Sequence, residues 1–222
     1  MVSLATLFAL MPEWLDPEKI ISRGGYLLIF GIVFAESGLL IGFFLPGDSL
    51  LFTAGMFAHG TFSDTFPNVN FNIWVLLVGV FIAAVAGDQV GYAFGRKAGP
   101  ALFKRPNSRF FKQAHLEAAE EFFEKHGPRA IVLARFVPIV RTFCPIVAGA
   151  GAMEYKTFVR FNVLGGFLWG VGVTLLGYFL GGVPLIKDNL EIALLLVVAV
   201  SVLPIVFEVL KSRREKKHQT AG

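Results

Sequence analysis

Residues 130–153 read AIVLARFVPIVRTFCPIVAGAGAM, an apolar run whose only charges are Arg135 and Arg141. A run of this length can enter a hydrocarbon core about 30 Å thick. Its flanks decide whether it crosses. The preceding 96–129 loop carries eight Lys and Arg residues, and the following 154–160 link carries Lys156 and Arg160. The positive-inside rule places both flanks in the cytoplasm. A segment that begins and ends on one side cannot span, so it must dip in and return. Pro138 and Pro145 supply the breaks that such a hairpin needs.

The same reasoning extends along the chain. Residues 24–58 contain only Glu36 and Asp48 as charges. Their flanks are poor in Lys and Arg: Lys19 and Arg23 before, none in 59–72 after. This stretch therefore begins and ends outside. It is too long for one crossing and too short for two, and Pro46-Gly47-Asp48 interrupts it near the middle. We expect two re-entrant hairpins, about 24–58 and 130–153, one from each face. The competing reading is a set of Pro-kinked spanning helices. Full spans are expected at about 73–95, 161–182 and 192–210. Residues 1–23 would form an interfacial segment with Trp14 at headgroup depth. The soluble stretch 108–126 would be an amphipathic helix capped by Ser108. The basic tail 211–222 would anchor the C-terminus in the cytoplasm.

Composition supports this class. Apolar residues make up 55% of the 222-residue chain and charged residues 16%, against about 25% charged in a soluble domain. Mean hydropathy is +0.66. The chain is too poor in charge to cover a water-facing surface. A single Cys rules out an intrachain disulfide and a Cys-based metal site.

The two halves also share a pattern. The first hairpin is followed by Phe71-Asn72 and then Gly91-Tyr92-Ala93-Phe94-Gly95. The second is followed by Phe161-Asn162 and then Gly177-Tyr178-Phe179-Leu180-Gly181. Opposite topologies make this an inverted repeat, a plan that places substrate at the midplane between broken helices. The expected fold is thus an all-α integral membrane domain over 24–210, an inverted repeat of re-entrant hairpin plus transmembrane helix, with an additional C-terminal transmembrane helix.

Five charges lie in apolar context: Glu36, Asp48, Asp88, Arg135 and Arg141. Each costs about 2.5–3.5 kcal/mol at bilayer centre on insertion scales. If the hairpin tips meet, Glu36 and Asp48 face Arg135 and Arg141. Paired guanidiniums suit a phosphate, which accepts planar bidentate hydrogen bonds. The carboxylates would hold the arginines when substrate is absent, and their protonation would release them. Asp88 is a further candidate for proton coupling or local pairing. Gly47 shapes the first hairpin beside Pro46. Trp169 lies deep in a span among small residues, where packing is the ordinary role, and Arg96 reads as an interfacial anchor. No HExxH, CxxC or P-loop occurs, so no metal or cofactor is expected.

These residues resemble the bacterial DedA family, within the broader VTT or "SNARE-associated" superfamily. The resemblance rests on Phe44-Leu45-Pro46-Gly47-Asp48-Ser49-Leu50-Leu51 with Glu36 upstream, and on Arg135-Phe136-Val137-Pro138-Ile139-Val140-Arg141-Thr142-Phe143. Gly87-Asp88, Gly95-Arg96, Pro106-Asn107-Ser108, Glu124-Lys125-His126-Gly127 and Trp169 also match, over roughly residues 25–210. The likeness is to the branch that gives the family its name more than to its alkaline-tolerance branch. The resemblance implies a bacterial inner-membrane protein with two re-entrant loops, acting in membrane homeostasis and dependent on the proton motive force. Some members translocate undecaprenyl phosphate, and eukaryotic relatives scramble phospholipids. The family's essential acids and arginines map onto Glu36, Asp48, Arg135 and Arg141. Asp48 stands where many members have Glu, which retracts the carboxylate by one methylene.

The expected function is therefore proton-coupled transport of a polyprenyl phosphate, without bond-breaking catalysis. The partners are that lipid or a phospholipid, protons and the membrane; no nucleic acid is expected, and a homo-oligomer is left open. The rivals are a general phospholipid scramblase, a proton-coupled exporter of small cations or drugs, and an enzyme acting on lipid phosphate.

Overall fold

The computed structural model describes residues 17–39, 47–63, 70–103 and 113–187. Trp14, Pro46, Ser108, the expected span 192–210 and the tail 211–222 lie outside the described residues.

Among the described residues every regular element is helical. Helix α1 covers Pro17–Gly38 and α2 covers Gly47–His59. Helix α3 runs over Ile73–Phe103, and α4 over Gln113–His126. A short 3-10 turn, Gly127–Arg129, leads into α5 (Ala130–Ala134) and α6 (Pro138–Ala150). Helix α7 (Tyr155–Gly166) continues through a π-helical segment, Phe167–Val171, into α8 (Gly172–Gly181); α9 is Pro184–Lys187. Two stretches, Ile73–Gly99 and Tyr155–Gly181, are long and apolar enough to cross a membrane, at 27 residues each. At 1.5 Å per residue each is about 40 Å long, the thickness of a bilayer with its headgroups. Both outrun the expected spans. Tyr155, Lys156 and Arg160 belong to the helix rather than to a link, as charged and aromatic residues do at headgroup level.

The prolines act differently from one another. Val137 is extended (φ −120, ψ 105) and Pro138 stands at the start of α6. The residue before a proline is pushed out of the α region, and proline's fixed φ suits the first helical position. Pro145 was expected to break the hairpin and does not: it lies inside an unbroken α6. Its ring faces Gly91, where an added Cβ would come within 3.2 Å, so the neighbouring helix accommodates it. Gly25, at φ 51, kinks α1, a backbone conformation that a side chain would strain.

The order of contacts gives the path of the chain. Asn72 N donates to Tyr26 Oη at 2.6 Å, Phe30 covers Gly79, and Gly38 meets Gly87. Helix α1 therefore runs parallel to α3. Val85 meets Gly166 and Val80 meets Gly170, so α7–α8 runs antiparallel to α3. Phe52 meets Gly177 and Met56 meets Gly181, so α2 runs parallel to α8. The chain accordingly reverses between α1 and α2. Helix α2 has 13 residues, about 20 Å, too short to cross alone. Its far end returns toward the level of Tyr26, just past the kink in α1.

The second half packs in a corresponding way. Ile146 meets Gly95, and Ala150 meets Gly99, so α6 lies parallel along α3. A Cβ on Gly55 would stand 2.8 Å from Tyr178 N, and one on Gly149 would stand 2.8 Å from Arg96 N. Each returning arm thus seats a glycine on the backbone of the long helix from the other half. Sequence aligns Gly177 with Gly91, but packing pairs it with Gly95, one helical turn on. Two apolar clusters flank the middle. One contains Ile29, Leu51, Met56, Leu76 and Val80; the other contains Tyr92, Ile131, Phe143, Ile146 and Phe158.

These backbone contacts leave no room for a side chain. Gly149→Val should destabilise the protein by about 1–3 kcal/mol in a denaturant titration of detergent-solubilised protein. Gly31→Ala, where nothing lies within 4 Å, should not destabilise it. Equal stability of G149V and the parent would show that α6 does not sit on α3 this way.

Candidate functional site

Five elements bring charges to the middle of the fold. Glu36 lies near the end of α1, and Asp48 lies in the first turn of α2. Asp88 sits midway along α3. Arg135 caps α5, and Arg141 lies in the first turn of α6. The Glu36 carboxylate rests against Gly47, at a point a Cβ would occupy. Glycine at the start of α2 thus lets a carboxylate reach the positive end of the helix.

Arg141 joins α6 to α1 and α2. Its Nη1 donates to both Asp48 carboxylate oxygens at 3.1 Å, and its Nη2 donates to Glu36 Oε1. Arg135 has a different set of partners. Its Nη2 donates to Asp88 Oδ2 at 2.6 Å and to Asn162 Oδ1 at 2.7 Å, with Ala84 O at 3.4 Å. Asn162 in turn donates from Nδ2 to Val85 O at 3.1 Å. Trp169 sits between the two arginines, 5.9 Å from the Arg135 guanidinium carbon and 5.6 Å from that of Arg141. Both distances fall within cation–π range. Its Nε1 donates to Asp48 Oδ1 at 2.6 Å.

The site is nearly closed. Glu36 is fully buried, and the side chains of Arg135 and Asp88 are each 4% exposed. Asp48, with its side chain 24% exposed, is the accessible member. Three carboxylates face two guanidiniums, a net charge of −1 when all are ionised. Glu36 Oε2, Arg135 Nε and Arg141 Nε are buried without a partner among the described residues. Buried polar atoms are normally paired, so the site carries hydrogen-bonding capacity that the described residues do not use. Removing one partner of a buried pair costs about 3–5 kcal/mol. An ion pair here therefore opens only if a proton or another ion takes the place of the lost partner.

The structure brings Glu36, Asp48 and Arg141 together, in the grouping read from the sequence. It needs correction for Arg135, which pairs with Asp88 and not with the hairpin acids. The reason is placement: Arg135 follows the five-residue α5 and faces Gly165 and Gly166 of α7, which leaves it beside α3. Trp169 does more than pack, because it fixes Asp48. Asn162 was not singled out as a site residue, although the repeated Phe-Asn pair contained it. The two asparagines of that repeat do different work. Asn72 Oδ1 accepts from Trp74 N at 2.9 Å and Val75 N at 3.3 Å, capping α3, while Asn162 lies inside α7 and holds Arg135. Gly47 is in contact with Glu36, whereas Pro138 only starts α6. Cys144 is buried. No group of three or more His, Cys, Asp or Glu residues able to hold a metal occurs among the described residues.

Residues 45–179 match the family model described as the VTT domain. The chain is 45% identical over 189 residues to "Protein DedA" of Escherichia coli strain K12, covering 85% of this chain and 84% of that one. It is 48% identical over 192 residues to an uncharacterized membrane protein of Mycobacterium leprae strain TN, covering 86% and 82%. An uncharacterized membrane protein of Mycobacterium tuberculosis strain H37Rv is 42% identical over 224 residues, covering 97% and 94%. No solved structure matches the chain.

The pairing of Arg135 with Asp88 is open to a double-mutant cycle. Arg135→Ala should lower stability by about 3–5 kcal/mol, because it leaves Asp88 buried without its cation. Adding Asp88→Ala should restore part of that loss. Additive losses, read by denaturation in detergent, would show that the two side chains are not coupled.

Proposed function

The chain belongs to the DedA family of VTT-domain membrane proteins, and on that premise we propose that it is a proton-coupled lipid transporter whose cargo is a polyprenyl phosphate such as undecaprenyl phosphate. The observation that carries this reading is the Arg141 guanidinium held between Glu36 and Asp48 at the meeting point of the two hairpins. A phosphate presents pairs of anionic oxygens that accept bidentate hydrogen bonds from a guanidinium, as a carboxylate does, and can replace those carboxylates on Arg141. Protonating Glu36 or Asp48 weakens the internal pair, so proton uptake and phosphate binding favour each other. Asp48 is the more exposed acid and is the point from which a headgroup would approach. Trp169 keeps its carboxylate in place until then.

We further propose that both hairpins are re-entrant and form an inverted repeat in the cytoplasmic membrane, with the C-terminus on the cytoplasmic side. The reversal between α1 and α2 and the shortness of α2 support this, as do the corresponding glycine contacts of α2 on α8 and α6 on α3. In this arrangement the isoprenoid tail stays in lipid, and only the headgroup passes through the site. A second reading is a proton-coupled carrier of small cations, favoured by the excess of one carboxylate over guanidiniums. It requires a cation-dependent proton flux that polyprenyl phosphate does not compete.

Proteoliposomes with leaflet-resolved polyprenyl phosphate test the proposal. Arg141→Ala should abolish movement of the lipid, and Arg141→Lys should recover little of it, because an ammonium lacks the planar fork. Asp48→Asn should flatten the dependence of transport on pH. Full transport by R141A would remove the arginine from the mechanism. Equal movement of phosphatidylethanolamine would leave a scramblase, and release of inorganic phosphate from the lipid would make the protein an enzyme.

A further inference from the structure

The basic end of α3 carries a groove that the buried site does not use. It has a volume of about 530 Å³ and is lined by Gln89, Tyr92, Ala93, Arg96, Lys97 and Tyr155. Its chemistry is one-sided. Arg96 and Lys97 are both exposed, and none of the six lining residues is a carboxylate. Arg96 is also held in position: its Nη1 donates to Tyr92 Oη at 3.1 Å, and Tyr92 Oη donates to Met153 O at 2.6 Å. Tyr92 is buried, so the guanidinium is tethered to the core and to the α6–α7 turn. Tyr155, about half exposed, closes the other wall with its ring 5.8 Å from that of Tyr92.

The groove opens onto an apolar flank. Val90 and Phe94 are each more than 40% exposed, and helical spacing places them beside Ala93 and Lys97. Exposed Val78 and Ile82 continue the apolar surface along the same helix. A free anion would need the cations only. Cations, an aromatic wall and a continuous apolar strip together suit an amphiphile with a negatively charged head.

The neighbouring groove offers a comparison. It has a volume of about 400 Å³ and shares Tyr155, with Lys156 and Arg160 as its cations. Glu154 lines it and accepts from Thr157 Oγ1 at 3.0 Å. The carboxylate opposes an anion there, and among the described residues no buried hydroxyl tethers its arginine in the way that Tyr92 holds Arg96.

We propose that the groove over Arg96 and Lys97 is a binding site for the phosphate headgroup of a membrane lipid, separate from the buried Glu36–Asp48–Arg141 site. Arg96, fixed by Tyr92, supplies oriented donors to the phosphate. Lys97 adds a second charge, and Tyr155 walls off water. The acyl chain lies against Val90 and Phe94. This site holds its lipid at the surface of the long helix and needs no movement of the hairpins. It does not depend on the transport proposal, because a chain that moved no lipid would still bind one here.

The test uses the full chain in detergent, with dihexanoyl phosphatidic acid as probe and calorimetry as readout. The parent should bind phosphatidic acid in preference to dihexanoyl phosphatidylcholine and to inorganic phosphate. Arg96→Gln with Lys97→Gln should weaken binding about thirtyfold, since each basic residue at a lipid surface contributes about 1 kcal/mol. Tyr155→Ala, which keeps both charges, should also weaken it. Lys156→Gln with Arg160→Gln should leave it unchanged. Unaltered binding by R96Q/K97Q overturns the site. Equal loss from K156Q/R160Q would mean diffuse surface charge, and equal affinity for inorganic phosphate would mean an anion site with no lipid specificity. Binding is read without transport, so either proposal can fail alone.

Discussion

The contact on which the centre of the fold depends is the guanidinium of Arg141 between Glu36 and Asp48. It ties the end of α1, the start of α2 and the start of α6 to one charged group. Past the kink at Gly25, α1 is an apolar helix of Gly25–Gly38, and α2 and α6 have 13 residues each, so each of these pieces is too short to cross a bilayer by itself. Each would otherwise leave a terminus and a charge in an apolar interior, where unsatisfied backbone groups cost several kcal/mol. The ion pairs and the helix termini answer each other: the carboxylate of Glu36 lies at the N-terminus of α2, and the same carboxylate holds the arginine of α6.

Glycine makes that meeting possible. Gly38 and Gly87 let α1 touch α3, Gly55 and Gly177 let α2 lie on α8, and Gly95 and Gly149 let α6 lie on α3. In lipid, helices gain little from burying apolar side chains, so close backbone approach is what drives association. The returning arms therefore pack on the long helix of the opposite half, which sets their depth. Because the depth is set by glycine contacts, the charged residues at the tips arrive at the same level.

Much of this was legible in the chain itself. The interruption at Pro46-Gly47-Asp48 marked where α1 gives way to α2, and the five isolated charges are the ones that the fold brings together in its middle. The residues at the ends of the argument were harder to read. Arg135 and Arg141 stand six apart on either side of Pro138, which suggests a shared pocket. In the fold they point to different partners, because the extended Val137 resets the helical phase between them. Spacing reports depth along a helix axis, but which neighbour a side chain faces depends on rotation about that axis. Asn162 was hidden for the same reason. Its repeat partner Asn72 caps a helix, so the shared letters gave no sign that one of them would hold an arginine. Pro145 misled in the opposite direction: it stands inside α6 without ending it, and Gly91 on α3 leaves room for its ring. The shift of one turn between the motif and the packing match has a related origin: Gly91, Gly95 and Gly99 all lie on one face, and the letters alone do not select among them.

The two arginines are held unequally. Arg135 is bound by Asp88 and the carbonyl of Ala84 on α3, and by Asn162 on α7. All three groups belong to the long helices, so Arg135 fastens one long helix to the other. Among the described residues, Arg141 hydrogen-bonds Glu36 of α1 and Asp48 of α2, and Asp48 is in turn held by Trp169 on the π-helical segment of the second long helix. A π turn places one more residue per turn than the α-helix around it and occurs often at functional positions. Thr174 Oγ1 donates to Gly170 O at 2.7 Å, which supports the carbonyl at that irregular turn. The chain thus contains an arginine fixed between the two long helices and an arginine whose partners sit on two separate elements, α1 and α2. Any rearrangement that separates the hairpin tips changes the surroundings of Arg141 and leaves the Arg135 cluster as the frame against which it moves.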